Sequence, residues 1–101
     1  MGFLDFIFGT KKRQVQDFLD NGAVVLDVRT QREWDKGHIE NSKHIPLDDL
    51  HNHVNELKQM NKPFVVCCES GIRSAKAAKF LSLNNIEATN GGGWVSLSKK
   101  L

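Results

Sequence analysis

The 101 residues bound the chain to a single domain over residues 1–101, large enough for one compact core. Hydrophobic residues make up 40% and charged ones 26%, the balance of a water-soluble globular protein rather than a disordered one. The net charge is +2, with 14 basic and 12 acidic side chains interspersed, which excludes the one-signed surface of a nucleic-acid-binding protein.

The amino-terminal stretch MGFLDFIFGTKKR carries Phe3, Leu4, Phe6, Ile7 and Phe8, but Asp5 interrupts the run and Lys11 follows soon after. A spanning helix needs about 20 apolar residues, so no membrane span is expected. A signal peptide places its charges ahead of its apolar run, so none is expected either. Residues 1–11 read as an apolar segment packed onto the domain, with a peripheral membrane or partner contact as the alternative. Val15, Phe18 and Leu19 are spaced for one face of a helix, which Asn21-Gly22 stops. AVVLDVR, residues 23–29, is a β-branched run that suits a strand buried on both faces. Thr30 and Glu33 form a capping box for a short helix that Gly37 closes.

The next stretch, HIENSKHIPL, predicts a loop with a short extended piece at Lys43 to Ile45, because the residue before Pro46 is turned away from helix. Leu47, Leu50, Val54 and Leu57 then make an apolar helical stripe, with Asp48 and Asp49 at its positive start. After the break at Asn61-Lys62-Pro63, PFVVCC is a second buried strand. RSAKAAKFL predicts a helix with Ser74, Ala77, Ala78 and Leu81 on one face, ended by Asn84-Asn85. IEAT predicts a last strand, NGGG a loop and WVSLSKKL a short helix. Strands alternating with helices make an α/β domain with a mostly parallel sheet and helices on both faces.

Cys67 and Cys68 are neighbours and the only cysteines, so they cannot staple distant segments, and a bond between adjacent residues would be strained. Unpaired thiols suit a reducing compartment, and a cytoplasmic location is expected. Cys68 closes a strand, where parallel sheets bind their ligands. Glu69-Ser70-Gly71-Ile72 must turn sharply there, and the successive amides of that turn, with those of the following helix, make an anion pocket. A thiolate held there is stabilised, which makes Cys68 the candidate nucleophile. Cys67 points to the opposite face of the sheet and reads as a small apolar residue.

Cys68-Glu69-Ser70-Gly71-Ile72-Arg73 resembles C-x-x-G-x-R, the active-site loop common in rhodanese-like sulfurtransferase domains. Asp27-Val28-Arg29, Glu33-Trp34, Gly37-His38-Ile39, Ile45-Pro46 and Gly92-Gly93-Trp94 resemble the other segments of that family, in the right order over residues 12–100. The resemblance implies a five-stranded parallel sheet flanked by helices, with Cys68 as the catalytic residue. It also implies a persulfide-cradling loop at Glu69, Ser70, Gly71, Ile72 and Arg73, which acts chiefly through backbone amides. Asp27, Arg29, Glu33 and His38 are expected to brace the fold and loops. The implied chemistry moves a sulfane sulfur from a donor such as thiosulfate or a persulfide, small or protein-borne, to cyanide or a thiol. No metal or organic cofactor is expected.

Arg73 either touches an anionic donor or, the expectation, pairs with a carboxylate to hold the loop. Glu40-Asn41-Ser42 stands where many members have Pro-Gly-Ala, which affects a turn. Glu69 follows the nucleophile, and a carboxylate facing the pocket would repel thiosulfate and favour a persulfide donor. The rivals are a Cys-based phosphatase or arsenate reductase, a protein-binding module and a persulfide relay. The first needs C-x5-R, whereas four residues separate Cys68 from Arg73 here. Binding modules are family members that have lost the nucleophile, which is present here. A relay lies between enzyme and binder. His51 and His53 point to different sides of their helix, and His38 and His44 flank a loop with no acidic cluster, so no metal site is expected. Gly91-Gly92-Gly93 lacks the spacing of a dinucleotide loop.

Overall fold

The computed structural model describes residues 13–101, so the readings for residues 1–11 lie outside the described residues. Helix α1 occupies residues 13–20, and Gly22 (φ 80°) turns the chain into β1, Val24–Asp27. β1 stops two residues short of the predicted run because the Arg29 amide donates to the Asp27 carboxylate rather than to a neighbouring strand. α2 follows at Gln31–Asp35 and β2 at Lys43–His44.

The Leu47 stripe begins as a 3-10 helix, Leu47–His53, and continues as α3, Val54–Met60. Leu47 and Leu50 are three apart, the repeat of the tighter helix. Asn61, in the left-handed region at φ 51°, ends α3. β3, Phe64–Cys68, leads into α4, Ile72–Leu83, then β4, Ala88–Gly93, and α5, Trp94–Ser98.

All strand pairs are parallel, in the order β2-β1-β3-β4. Period-2 alternation splits the core in two. Leu26, Val66 and Cys68 face α3 and α4 with Leu57, Ala77 and Leu81, while Val25, Val65 and Cys67 face α1 and α5 with Val15 and Leu97. Helices therefore cover both faces, as predicted. β3 is the most enclosed strand, with every residue buried.

Two expectations change. Four strands are present among the described residues rather than five: the sequence supplies four extended runs there, and residues 13–20, ahead of β1, are helical. NGGG is not a loop but the end of β4, in register with the end of β3, Cys67 opposite Gly92 and Cys68 opposite Gly93. Glycine is needed because the two strands and α5 crowd together: a Cβ on Gly91 would lie 2.6 Å from Val65 Cγ1 and 3.1 Å from Leu97 Cδ2.

Among the described residues no helix is long and apolar enough to cross a membrane, and no three or more His, Cys, Asp and Glu side chains are grouped to hold a metal ion. His53 instead bonds to Asp49 (2.8 Å) and Glu56 (3.0 Å).

The Gly91→Ala variant is expected to lose about 1–3 kcal/mol of stability through overpacking between β3 and α5. Urea denaturation would measure this, and an unchanged midpoint would contradict the tight seam between β3, β4 and α5.

Candidate active site

The last residue of β3 places the Cys68 sulfur under the amino terminus of α4. The four first amides of a helix have no internal partner, and a Ser, Thr, Asp or Asn side chain at the cap ordinarily accepts from one of them. Here the cap is Gly71, at φ 99°, with no side chain to offer. The Cys68 sulfur takes that place. It accepts from the Gly71 amide at 3.0 Å and from the Ser74 amide, the third of the helix, at 3.4 Å. Ser74 Oγ lies 3.3 Å from the sulfur as well.

Burial acts to raise the Cys68 pKa, but the Ser74 hydroxyl and the amides of Ser74, Gly71 and Ser70 outweigh it and hold the thiol below its ordinary 9.0. Cys67, one residue back on the same strand, has no such donors, and burial first, then the Asp27 charge, pushes its thiol up to about 12. The pair separates into one ionisable thiol and one inert one. Cys68 itself has no exposed surface, while Glu69 and Ser70, which follow it, are exposed.

Ser74 carries chemistry that sequence reading assigned only to a helix face. With the thiol neutral its hydroxyl donates to Asn90 Oδ1 (2.7 Å), and the same single hydrogen turns to the sulfur when the thiolate forms, while Asn90 Nδ2 donates to the Gly71 carbonyl (3.0 Å) and the Gly92 amide donates to Asn90 Oδ1 (2.9 Å). Asn90 on β4 thus ties the turn that bears the Gly71 amide to the residue that bears the hydroxyl. The available signal was Ser74 itself, one polar side chain on an otherwise apolar helix face. Asn90 gave none, because its role depends on β4 lying beside the turn.

Asp27, Arg29 and Glu33 come together, and with them Arg73 and Glu69, whereas His38 contacts Trp34 instead. Arg29, 1% exposed, donates through Nε and Nη2 to Asp27, and through its remaining hydrogens to the Glu33 and Gly37 carbonyls and to Glu69 Oε1 at 2.9 Å. Its guanidinium also lies 4.6 Å from the Trp94 ring centre. Arg73 grips Glu33 with both Nη atoms, at 2.7 and 2.8 Å. The same Glu33 carboxylate closes the predicted capping box on Thr30, so the local helix start aims it at Arg73.

Segments 29–33 and 69–73 are therefore laced by two ion pairs, Arg29–Glu69 and Glu33–Arg73, each 40 residues apart in sequence. His38 donates from Nδ1 to the Trp34 carbonyl (3.0 Å) and stacks on the Trp34 ring at 3.6 Å. Ile72 begins α4 with its side chain exposed.

Glu33 is held down from an ordinary 4.5 to about 2, chiefly by Arg73, against burial and with help from Thr30. A carboxylate depressed in the folded state stabilises it above the unfolded pKa, and that contribution is lost as pH falls through the folded value. The Glu33–Arg73 contribution is accordingly complete above 4.5 and disappears between 4.5 and about 2. Glu33→Gln should be less stable than the parent at neutral pH and equal to it at the acid end. A constant gap across an acid titration followed by circular dichroism would exclude the pair as the cause. Ser74→Ala should move the Cys68 thiol upward and slow its alkylation by iodoacetamide at neutral pH roughly fivefold to tenfold, the scale of one ordinary net hydrogen bond. A pH–rate profile identical to the parent would show that Ser74 does not tune the thiol.

The profile of the rhodanese-like domain family matches residues 11–99. Thiosulfate sulfurtransferase GlpE of Ectopseudomonas mendocina is 34% identical over 69% of this chain and 63% of its own length. The putative sulfur carrier protein YrkF of Bacillus subtilis is 38% identical over 59% of this chain and 32% of its own. The chain thus spans less than two thirds of the length of these curated relatives. A rhodanese-like domain protein from Staphylococcus aureus superposes with a TM-score of 0.68 at 34% identity, covering 75% of this chain and 74% of that one. A rhodanese-related protein from Thermoplasma volcanium superposes at 0.70 and 30% identity, covering 85% and 84%. With the Cys68 loop, the parallel sheet and the family profile in agreement, this chain belongs to the rhodanese-like domain family.

Proposed function

We propose that this chain is a sulfurtransferase that carries sulfane sulfur as a persulfide on Cys68. The observation that carries the reading is the Cys68 sulfur serving as the acceptor for the Gly71 and Ser74 amides at the start of α4. Donors fixed in place before the reaction stabilise negative charge without reorganising, on the thiolate and, as the sulfur is extended, on the persulfide. The names of two relatives, a thiosulfate sulfurtransferase and a putative sulfur carrier, support sulfur transfer as the activity class.

In the first half-reaction the Cys68 thiolate attacks the outer sulfur of a donor such as thiosulfate. The new S–S bond forms as the donor's S–S bond breaks, and sulfite leaves with the electron pair. In the second, cyanide or a thiol attacks the terminal sulfur and Cys68 departs as thiolate. Glu69, Ser70, Gly71, Ile72 and Arg73 wall the persulfide, through their backbone. Asp27, Arg29, Glu33 and His38 hold that wall in place. A phosphatase reading is disfavoured because both Nη atoms of Arg73 are given to Glu33 rather than turned toward an oxyanion over the sulfur. The chemistry needs a reduced thiol, which suits a cytoplasmic setting.

Intact-mass measurement of the reduced protein after exposure to thiosulfate, and separately to a polysulfide, tests this. A gain of one sulfur is expected, removed by cyanide, absent in Cys68→Ser and retained in Cys67→Ala. No gain from either donor would sink the reading.

A further inference from the structure

The charged side chains around the Cys68 loop are already matched to one another. Arg29 uses all its N–H donors on Asp27, Glu69 and two carbonyls, and Arg73 is engaged by both oxygens of Glu33. Two guanidinium groups thus face three carboxylates, Asp27, Glu33 and Glu69, and the cluster carries net negative charge before any thiolate forms. Of the three, Glu69 is the outermost, with 48% of its side chain exposed beside the turn that a donor must pass. Within the same loop the apolar Ile72 side chain is 68% exposed.

We propose that Glu69 is the specificity-determining residue of this site, turning away dianionic donors in favour of an organic hydropersulfide, R–S–SH, which reacts in its neutral, protonated form. This deepens the sulfur-transfer reading and rests on it for the identity of the reaction. The Cys68 thiolate attacks the outer sulfur of R–S–SH. The Sγ–S bond forms, the S–S bond of the donor breaks, and R–S⁻ leaves with the electron pair and takes the proton of the transferred sulfur. Cys68 is left holding the persulfide anion. The organic group R rests against the exposed Ile72 side chain, where thiosulfate has only charged oxygens to present. Arg29 does not compensate for Glu69 toward an incoming anion, because each of its hydrogens already has an acceptor.

The test pairs two alkylating probes of the same reach, neutral iodoacetamide and anionic iodoacetate, on the full chain and on Glu69→Gln. The neutral probe reports access to Cys68 in each protein, so the ratio of the two rates reports charge alone. In the parent the ratio should exceed that of a free thiol such as glutathione. In Glu69→Gln it should shrink by about fivefold, the scale of one unit charge at a water-facing rim. High salt should shrink it in the parent too, a second readout that needs no variant. Loading followed by intact mass should be faster from the hydropersulfide of 2-mercaptoethanol than from thiosulfate, with Glu69→Gln narrowing that preference. A probe ratio unchanged by both the substitution and salt would overturn the proposal, as would equal acceleration of both probes, which would mean Glu69 governs access alone. Should the probe ratio behave as expected while neither donor loads sulfur, the charge filter stands and the sulfurtransferase reading falls.

Discussion

The site depends on an exchange of hydrogen-bonding roles at the start of α4. Gly71 at the cap makes the tight turn possible at φ 99°, but it leaves the first amides of the helix without a side-chain acceptor. The Cys68 sulfur, delivered by the end of β3, is that acceptor. The same contacts that satisfy the helix therefore favour the thiolate, and the helix dipole adds to them. Fold stability and thiol reactivity are here two consequences of one geometry. A side-chain cap at position 71 would compete with the sulfur for those amides.

Strand alternation decides which of two chemically identical side chains becomes special. Cys67 and Cys68 share a strand and complete burial, yet one sulfur faces the core under α1 and α5 and the other meets the α4 terminus. Their pKa values part because the Cys68 sulfur accepts hydrogen bonds that offset its burial, while Cys67 is raised by burial and the Asp27 charge with no such donors. β4 contributes from the side: its glycines let the strand lie close to β3, with Gly93 near the Glu69 carbonyl, and Asn90 then reaches both ends of the sulfur-binding turn.

The charged lattice around the loop is anchored where water is absent. The Arg29–Asp27 pair is buried and fully hydrogen-bonded, so losing one partner would leave an uncompensated interior charge, at a cost of about 3–5 kcal/mol. The exposed ends of the lattice, Glu69 and Arg73, contribute less to stability in solvent. Their importance lies in position. They hold the 69–73 turn against the 29–33 segment.

Much of this was present in the residues themselves. The continuous apolar runs at 23–29 and 63–68, the Thr30–Glu33 capping box, the stop at Asn61 and the Cys68–Arg73 loop are all local patterns, and local backbone physics carries them into the fold with only the strand ends trimmed. The thiol's place at a strand end, above a glycine turn and a helix start, also follows from neighbours in sequence. What tertiary structure alone decided are contacts between segments distant in the chain. These are the Arg29–Glu69 and Glu33–Arg73 pairs, each spanning 40 residues, the Asn90 link to Ser74 and Gly71, and the promotion of NGGG from loop to strand. No sequence period encodes which carboxylate an arginine will meet. That choice is made when parallel strands bring their carboxyl ends side by side, because only then are the loops that follow them close enough to exchange hydrogen bonds.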